Sequence, residues 1–112
     1  MKKSISILLL LVFISSFAAF LKTQLTLTVR DETGNVVAGA SIKLYSKKED
    51  WEKEVNHFAE MTSDAKGVAK FKEVKYLNIY LLVRKGDKDN TGGGEQTKLE
   101  EGKFNKVTLV IQ

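Results

Sequence analysis

The sequence predicts an all-β fold: a single antiparallel seven-stranded β-sandwich behind an N-terminal signal peptide. Three observations predict it. From Thr23 onward apolar and polar residues alternate with period two, as in strands that bury one face. Clusters of Asp, Asn and Gly punctuate these runs at short intervals. There is no amphipathic helix of useful length, and the chain contains no Pro. About seven short strands separated by turn signals is the pattern of a sandwich.

The leader comes first. Met1-Lys2-Lys3 is a basic start, and Ile5 to Ile14 is apolar except for Ser6. Ser15, Ser16, Phe17 and Ala18 form a small-residue exit, with Ser16 and Ala18 at the −3 and −1 positions. This predicts a signal peptide over 1–18, cleaved between Ala18 and Ala19. The apolar run continues through Ala19-Phe20-Leu21, so Ser4 to Leu21 also approaches the ~17–20 residues of a spanning helix. An uncleaved anchor is therefore the alternative. Either reading sends the domain, residues 23–112, across a membrane.

In the body, Leu25, Leu27 and Val29 alternate with Thr26, Thr28 and Arg30 to make a first strand. Asp31 to Asn35 turns the chain, with Gly34 free to take positive φ. Ala40, Ile42 and Leu44 alternate with Ser41, Lys43 and Tyr45 in a second strand. Ser46-x-x-Glu49 reads as a capping box, with Trp51, Val55 and Phe58 at helical spacing. A short helical turn over the sandwich or a long polar loop anchored by Trp51 both satisfy that stretch. Phe58 to Ser63 is extended, Asp64 to Gly67 is a tight turn, and Val68 to Phe71 follows with Ala69 and Phe71 inward. Asn78 to Lys85 is apolar on both parities, which predicts a central strand or one covered on its outer side. Residues 86–94 read as a loop, Thr97 to Leu99 as a short strand, and Lys103 to Gln112 as the last one. Its apolar face is Val107, Leu109 and Ile111.

Composition narrows the chemistry. The formal charge of +4 includes Lys2 and Lys3 of the leader, so the body carries sixteen basic against fourteen acidic residues, interspersed. A nucleic-acid surface concentrates its basic residues, and none is expected here. The chain has no Cys, which removes disulfides, thiol catalysis, Cys-based zinc sites and diacylglyceryl anchoring. A body of roughly 90 residues buries only about 60–65% of its unfolded surface, so this domain depends on sheet packing alone.

Taken together, Val29-x-Asp31-x-x-Gly34, Gly39-Ala40-x-Ile42-x-Leu44-Tyr45, Thr62-x-Asp64-x-x-Gly67-x-Ala69-x-Phe71, Tyr80-x-Leu82 and Val107-x-Leu109 resemble carboxypeptidase regulatory-like domains. These belong to the wider transthyretin-like (prealbumin-like) sandwiches that include the B-type repeats of collagen adhesins. The resemblance implies a transthyretin-like or Ig-like fold, and a module that stabilises, spaces or presents other parts of exported proteins. One fold hosts many roles, so function has to come from a site.

Two relatives in that wider group carry chemistry. Adhesin repeats join a first-strand Lys to a last-strand Asn. Here Thr28 stands at the position resembling that Lys, and Asn105 has no such partner in the first strand. Transthyretin-like hydrolases use several His residues and a Tyr-Arg-Gly tail, whereas this chain has one His, His57, and ends Val110-Ile111-Gln112. A Ser–His–acid triad would have to recruit that same His57. Glu49, Asp50, Glu52 and Glu54 are interleaved with lysines and read as a solvated loop.

Asp87-Lys88-Asp89-Asn90-Thr91-Gly92 resembles the first half of a calcium loop, making Asp87, Asp89 and Thr91 weak metal candidates. The twelfth position is Lys98, where a bidentate Glu is needed, so a glycine-rich turn without metal is the expectation. No cofactor and no catalytic residue is implied. The sequence thus predicts a non-enzymatic, exported module, periplasmic or extracellular, meeting a protein or glycan partner in the cell envelope. It would touch the membrane only transiently, through its leader. The alternative is a carbohydrate- or peptide-binding module using Trp51, Tyr45 and Tyr80 as exposed aromatics near the 86–96 loop.

Overall fold

The structure, a computed structural model, describes residues 21–112. The leader and its cleavage site at Ala18 and Ala19 lie outside the described residues. Eight strands and one short helix follow in the order β1 (Gln24–Asp31), β2 (Ser41–Tyr45), α1 (Lys48–Lys53), β3 (Ala59–Thr62), β4 (Val68–Phe71), β5 (Asn78–Lys85), β6 (Lys88–Asp89), β7 (Gln96–Lys98) and β8 (Phe104–Ile111). They form two sheets, one ordered β4-β1-β8, the other β3-β2-β5-β6 with β7 also on β5.

Two features depart from the expected antiparallel seven-stranded sandwich. The eighth strand arises because Gly86 (φ 60) and Asp87 close a two-residue hairpin, returning Lys88–Asp89 onto β5 within what reads as loop. The sandwich is also mixed, because β8 runs parallel to β1 along its whole length, from Gln24 opposite Phe104 to Asp31 opposite Ile111. The chain reaches this register by crossing from one sheet to the other between β7 and β8. Leu99 is buried in the crossing, Gly102 N–H donates to Thr23 Oγ1 (2.9 Å), and Gln24 N–H donates to the Lys103 carbonyl (3.0 Å). β8 therefore starts at the same pole as β1 and must run the same way.

Alternation determines which side chains meet between the sheets. Leu25, Leu27, Val29, Ile42, Leu44, Ala69, Phe71, Ile79, Leu81, Val83, Leu109 and Ile111 join one buried cluster, with Val74 and Leu99 at its margins. The two Asp-x-x-Gly motifs are the same device used twice. The Asp31 carboxylate accepts the backbone N–H groups of Thr33 and Asn35 (both 3.0 Å) and the Thr33 hydroxyl (2.6 Å). The Asp64 carboxylate accepts the N–H groups of Lys66 (2.9 Å) and Val68 (3.0 Å). Gly67 (φ 76) is needed sterically as well, since a Cβ there would come 2.8 Å from the Val29 carbonyl oxygen.

The stretch after β2 forms the short helical turn rather than the long polar loop, but the capping box does not form. The N-cap is Lys47, with no side-chain hydrogen bond, and the helix ends after six residues at Glu54 in the left-handed region (φ 54). A helix this short is not stable by itself. Trp51 holds it, its Nε1–H donating to the Leu81 carbonyl (3.0 Å).

Candidate functional site

The outer face of the second sheet is where the aromatic candidates collect. Tyr45 and Tyr80 are opposite each other across β2 and β5, and Lys43 is opposite Leu82 one step along the same face. α1 lies over this face, which explains why β5 is apolar on both parities: Leu81 and Val83 fill the core while Leu82 is buried on the other side. Trp51 and Tyr80 are both half-buried, with ring centroids 6.3 Å apart and planes tilted by 34°. Tyr45 is fully buried under this cover, and the His57 ring meets it edge-on at 6.2 Å. Tyr45 thus offers no ring face to solvent, unlike the exposed aromatic the sequence reading takes it for.

The Tyr45 hydroxyl has no hydrogen-bond partner, and burial followed by the nearby Glu54 carboxylate pushes its pKa up. Beside it Arg84 donates two hydrogen bonds to Glu54, at 2.8 and 3.4 Å, which holds the Glu54 carboxyl below its usual range. Trp51, Glu52, Glu54, Leu82, Arg84 and Thr91 wall a shallow depression of about 250 Å³. It combines one aromatic wall, one apolar floor and a paired cation and anion. That suits a small polar ligand with an apolar face. His57 is at the surface, its Nε2 3.3 Å from a Glu60 carboxylate oxygen.

In the 86–96 loop, Asp89 and Glu95 bond backbone N–H groups of the loop itself. Asp87 is exposed at the hairpin turn, and the Asp89 carboxylate accepts the Thr91 N–H (2.9 Å), which lowers its pKa. Thr91 is exposed, and the Gly92 N–H donates to the Glu95 carboxylate. Among the described residues no three His, Asp or Glu side chains gather to hold a metal ion.

The residue that organises this loop is Asn90, only 2% exposed. Its Oδ1 accepts the Val83 N–H (2.9 Å), and its Nδ2 donates to the Leu81 carbonyl (2.9 Å). β6 and β7 leave a gap on this side of β5, and the amide fills it like a short length of strand. Nothing in the spelling of the loop separates Asn90 from its turn-forming neighbours. Asn105 reads in the sequence only as a crosslink residue without its partner. Its Nδ2 donates to the carbonyls of Gln24 (3.0 Å), Glu100 (3.0 Å) and Lys103 (3.2 Å), and its Oδ1 accepts the Glu100 N–H (2.8 Å). It clamps the crossing onto the start of the β1–β8 ladder.

No family model and no curated protein matches the chain. Among solved structures it is similar to the pilus 2b backbone protein of group B streptococcus, with 16% identity and a TM-score of 0.60. The match covers 80% of this chain and 40% of that one, so the chain spans less than half the length of the pilus protein. At that identity the likeness is one of fold alone. Two fainter similarities are to the Bacillus anthracis TIE protein (21% identity, TM-score 0.49, 80% of this chain and 16% of that) and to chlorocatechol 1,2-dioxygenase from Pseudomonas putida (15%, 0.46, 80% and 60%). Both lie below the level at which a shared fold is claimed.

Proposed function

We propose that this chain is an exported, non-catalytic sandwich module of the carboxypeptidase regulatory-like kind, with a structural or protein-interaction role at the cell envelope. The observation that carries the reading is the parallel β1–β8 pair. The first and last strands lie side by side for eight residues and point the same way, so their outer ends are at opposite poles. A pull on the two ends makes the strands slide past each other. Every bond of the ladder then takes load together, whereas an unzipping pair breaks one bond at a time. A module that spaces or presents other parts under tension needs that geometry. The similarity to a pilus backbone protein supports the same reading. Export rests on the leader, with the mature chain starting at Ala19.

Extension by the two ends in single-molecule force measurements tests this. Rupture in one step at high force is expected, and a stepwise, low-force opening would refute it. Intact mass of the exported protein should lack residues 1–18, and a full-length membrane-embedded species would favour the anchor instead.

The depression beside Trp51 favours a second reading, a carbohydrate- or peptide-binding module. Trp51 is the sole Trp, so a ligand seated there shifts the protein's tryptophan fluorescence directly. Silence across a glycan and peptide panel would remove that reading.

A further inference from the structure

The geometry points to self-association of this chain by antiparallel pairing of β8 with β8 of a second copy, in a register centred on Val107. The inference deepens the structural-module reading and rests on it only in that the domain acts by contact. β8 is an edge strand of eight residues, against four in each of the edges β3 and β4. Gln24 N–H donates to the Lys103 carbonyl, so the odd-numbered backbone groups of β8 face β1. Even-numbered groups face away: Gln112 exchanges hydrogen bonds with Asp89, at 3.0 and 3.3 Å, on the far side. The backbone N–H and C=O groups of Phe104, Lys106, Thr108 and Val110 therefore point out of the sheet, and all four residues are exposed. Natural edges are blunted with Pro, bulges or several charges. β8 has no Pro, pairs with β1 without a bulge, and carries one charge, Lys106.

The outward side chains select the register. Phe104 is 79% and Val110 48% exposed, the two large apolar residues on this face. Centring a two-fold axis on Val107 puts Phe104 of one copy against Val110 of the other, twice, and Lys106 against Thr108, twice. Every outward-facing backbone group then finds a partner, for about eight ladder hydrogen bonds. Aromatic and β-branched side chains are favourable cross-strand partners. Centring on Lys106 would oppose two lysines, and centring on Thr108 would require Gln112, whose backbone is already bonded to Asp89. Beside Thr108, Val110 and Gln112 the far margin of β8 borders a depression of about 280 Å³ whose other wall is the 90–94 loop, which the second strand would enter.

Sedimentation equilibrium of the exported protein over a concentration series tests the pairing. A monomer–dimer equilibrium is expected. Thr108→Lys sets like charges against Lys106 of the second copy at two places and should weaken the dimer on the order of tenfold. Adding Lys106→Glu to that variant sets opposite charges there and should restore it, while melting temperatures of the monomers stay alike. A monomer at every concentration overturns the proposal, as does a dimer that ignores Thr108→Lys or fails to be rescued. Recovery of β8 paired only with a different protein overturns it too. A monomer that still resists force leaves the structural module standing, and a dimer that opens at low force leaves the pairing standing.

Discussion

Asn90 is the side chain whose loss should be felt most for its size. Asn90→Ala removes the acceptor of the Val83 N–H, on a residue with no solvent exposure. The Leu81 carbonyl loses one donor and keeps another, Trp51 Nε1–H at 3.0 Å. One buried donor is thus left unmade, which costs about 1–3 kcal/mol. The space vacated by the amide adds about 1 kcal/mol if the loop does not collapse into it. A loss of about 2–4 kcal/mol is expected, against a total of about 5–15 kcal/mol for a domain. Thermal melts should show a fall on the order of 10–25 °C.

Asn90→Asp separates the hydrogen bonds from the packing, because the shape is kept and the amide donor is replaced by a carboxyl that donates only when neutral. A carboxylate there would face the Leu81 carbonyl while buried. Both effects favour the neutral acid, so its folded-state pKa lies above the unfolded value of ~3.9. The stabilising contribution of the neutral acid is fully present below that value and is lost as pH rises through the folded pKa. The deficit relative to the parent should therefore widen from pH 4 to pH 7. Denaturant melts of both variants at the two pH values are the assay. An Asn90→Ala variant within about 0.5 kcal/mol of the parent, or an Asn90→Asp deficit independent of pH, would refute the amide's role as a substitute strand.

Phe71, 5% exposed between the sheets, should cost about 3–5 kcal/mol as Phe71→Ala in denaturant melts; a surface-like effect would mean that β4 does not pack as described. Acid should destabilise the fold, because the carboxyls of Asp31 (Thr33 hydroxyl first), Asp64 (Val68 N–H first), Asp89 (Thr91 N–H first) and Glu54 (Arg84) are all held below their usual values. That contribution is present above the unfolded pKa of ~4 and is lost as pH falls through the lower folded values, so flat melting temperatures from pH 6 to pH 2 would contradict it. Calcium should leave the melting temperature where it is. A bound ion at a hundredfold excess over Kd would raise it by on the order of 10–20 °C, and such a rise abolished by Asp87→Asn would restore the metal site.

Much of the sandwich was legible because the signals involved are local. The alternation in β1 and β2, the bounds of β5 and the Asp31 and Asp64 turns follow from side-chain period and turn chemistry within a few residues. Period two says which face a residue occupies and says nothing about which strand lies beside it. The parallel partnership of β1 and β8 depends on where residues 99–103 cross between the sheets, some eighty positions from β1 in sequence. β6 was illegible for another reason: two residues are too few to show a period. The aromatic face was half legible. Trp51 was recognisable as an anchor, but Tyr45 alternates with the core exactly as an exposed residue would, and only the fold of α1 and His57 over it removes it from solvent.

The same distinction explains how a small domain without Cys closes its sheets. A sandwich loses ladder bonds wherever a strand ends early or a connection changes sheets, and a backbone group stranded there is costly. Among the described residues, two such places are the gap between β6 and β7 along β5 and the crossing into β8. Each is filled by an asparagine, whose amide offers a donor and an acceptor on one planar group, as a peptide unit does. Asn90 replaces the missing neighbour of Leu81 and Val83, and Asn105 ties Gln24, Glu100 and Lys103 into one knot. Asn105 therefore sits where the β1–β8 ladder begins, at the pole from which β1 would be pulled. The ladder can share a load evenly only if its first rung does not fray, and the Asn105 side chain, bonded once to Gln24 of β1 and three times to Glu100 and Lys103 of the crossing, holds that rung.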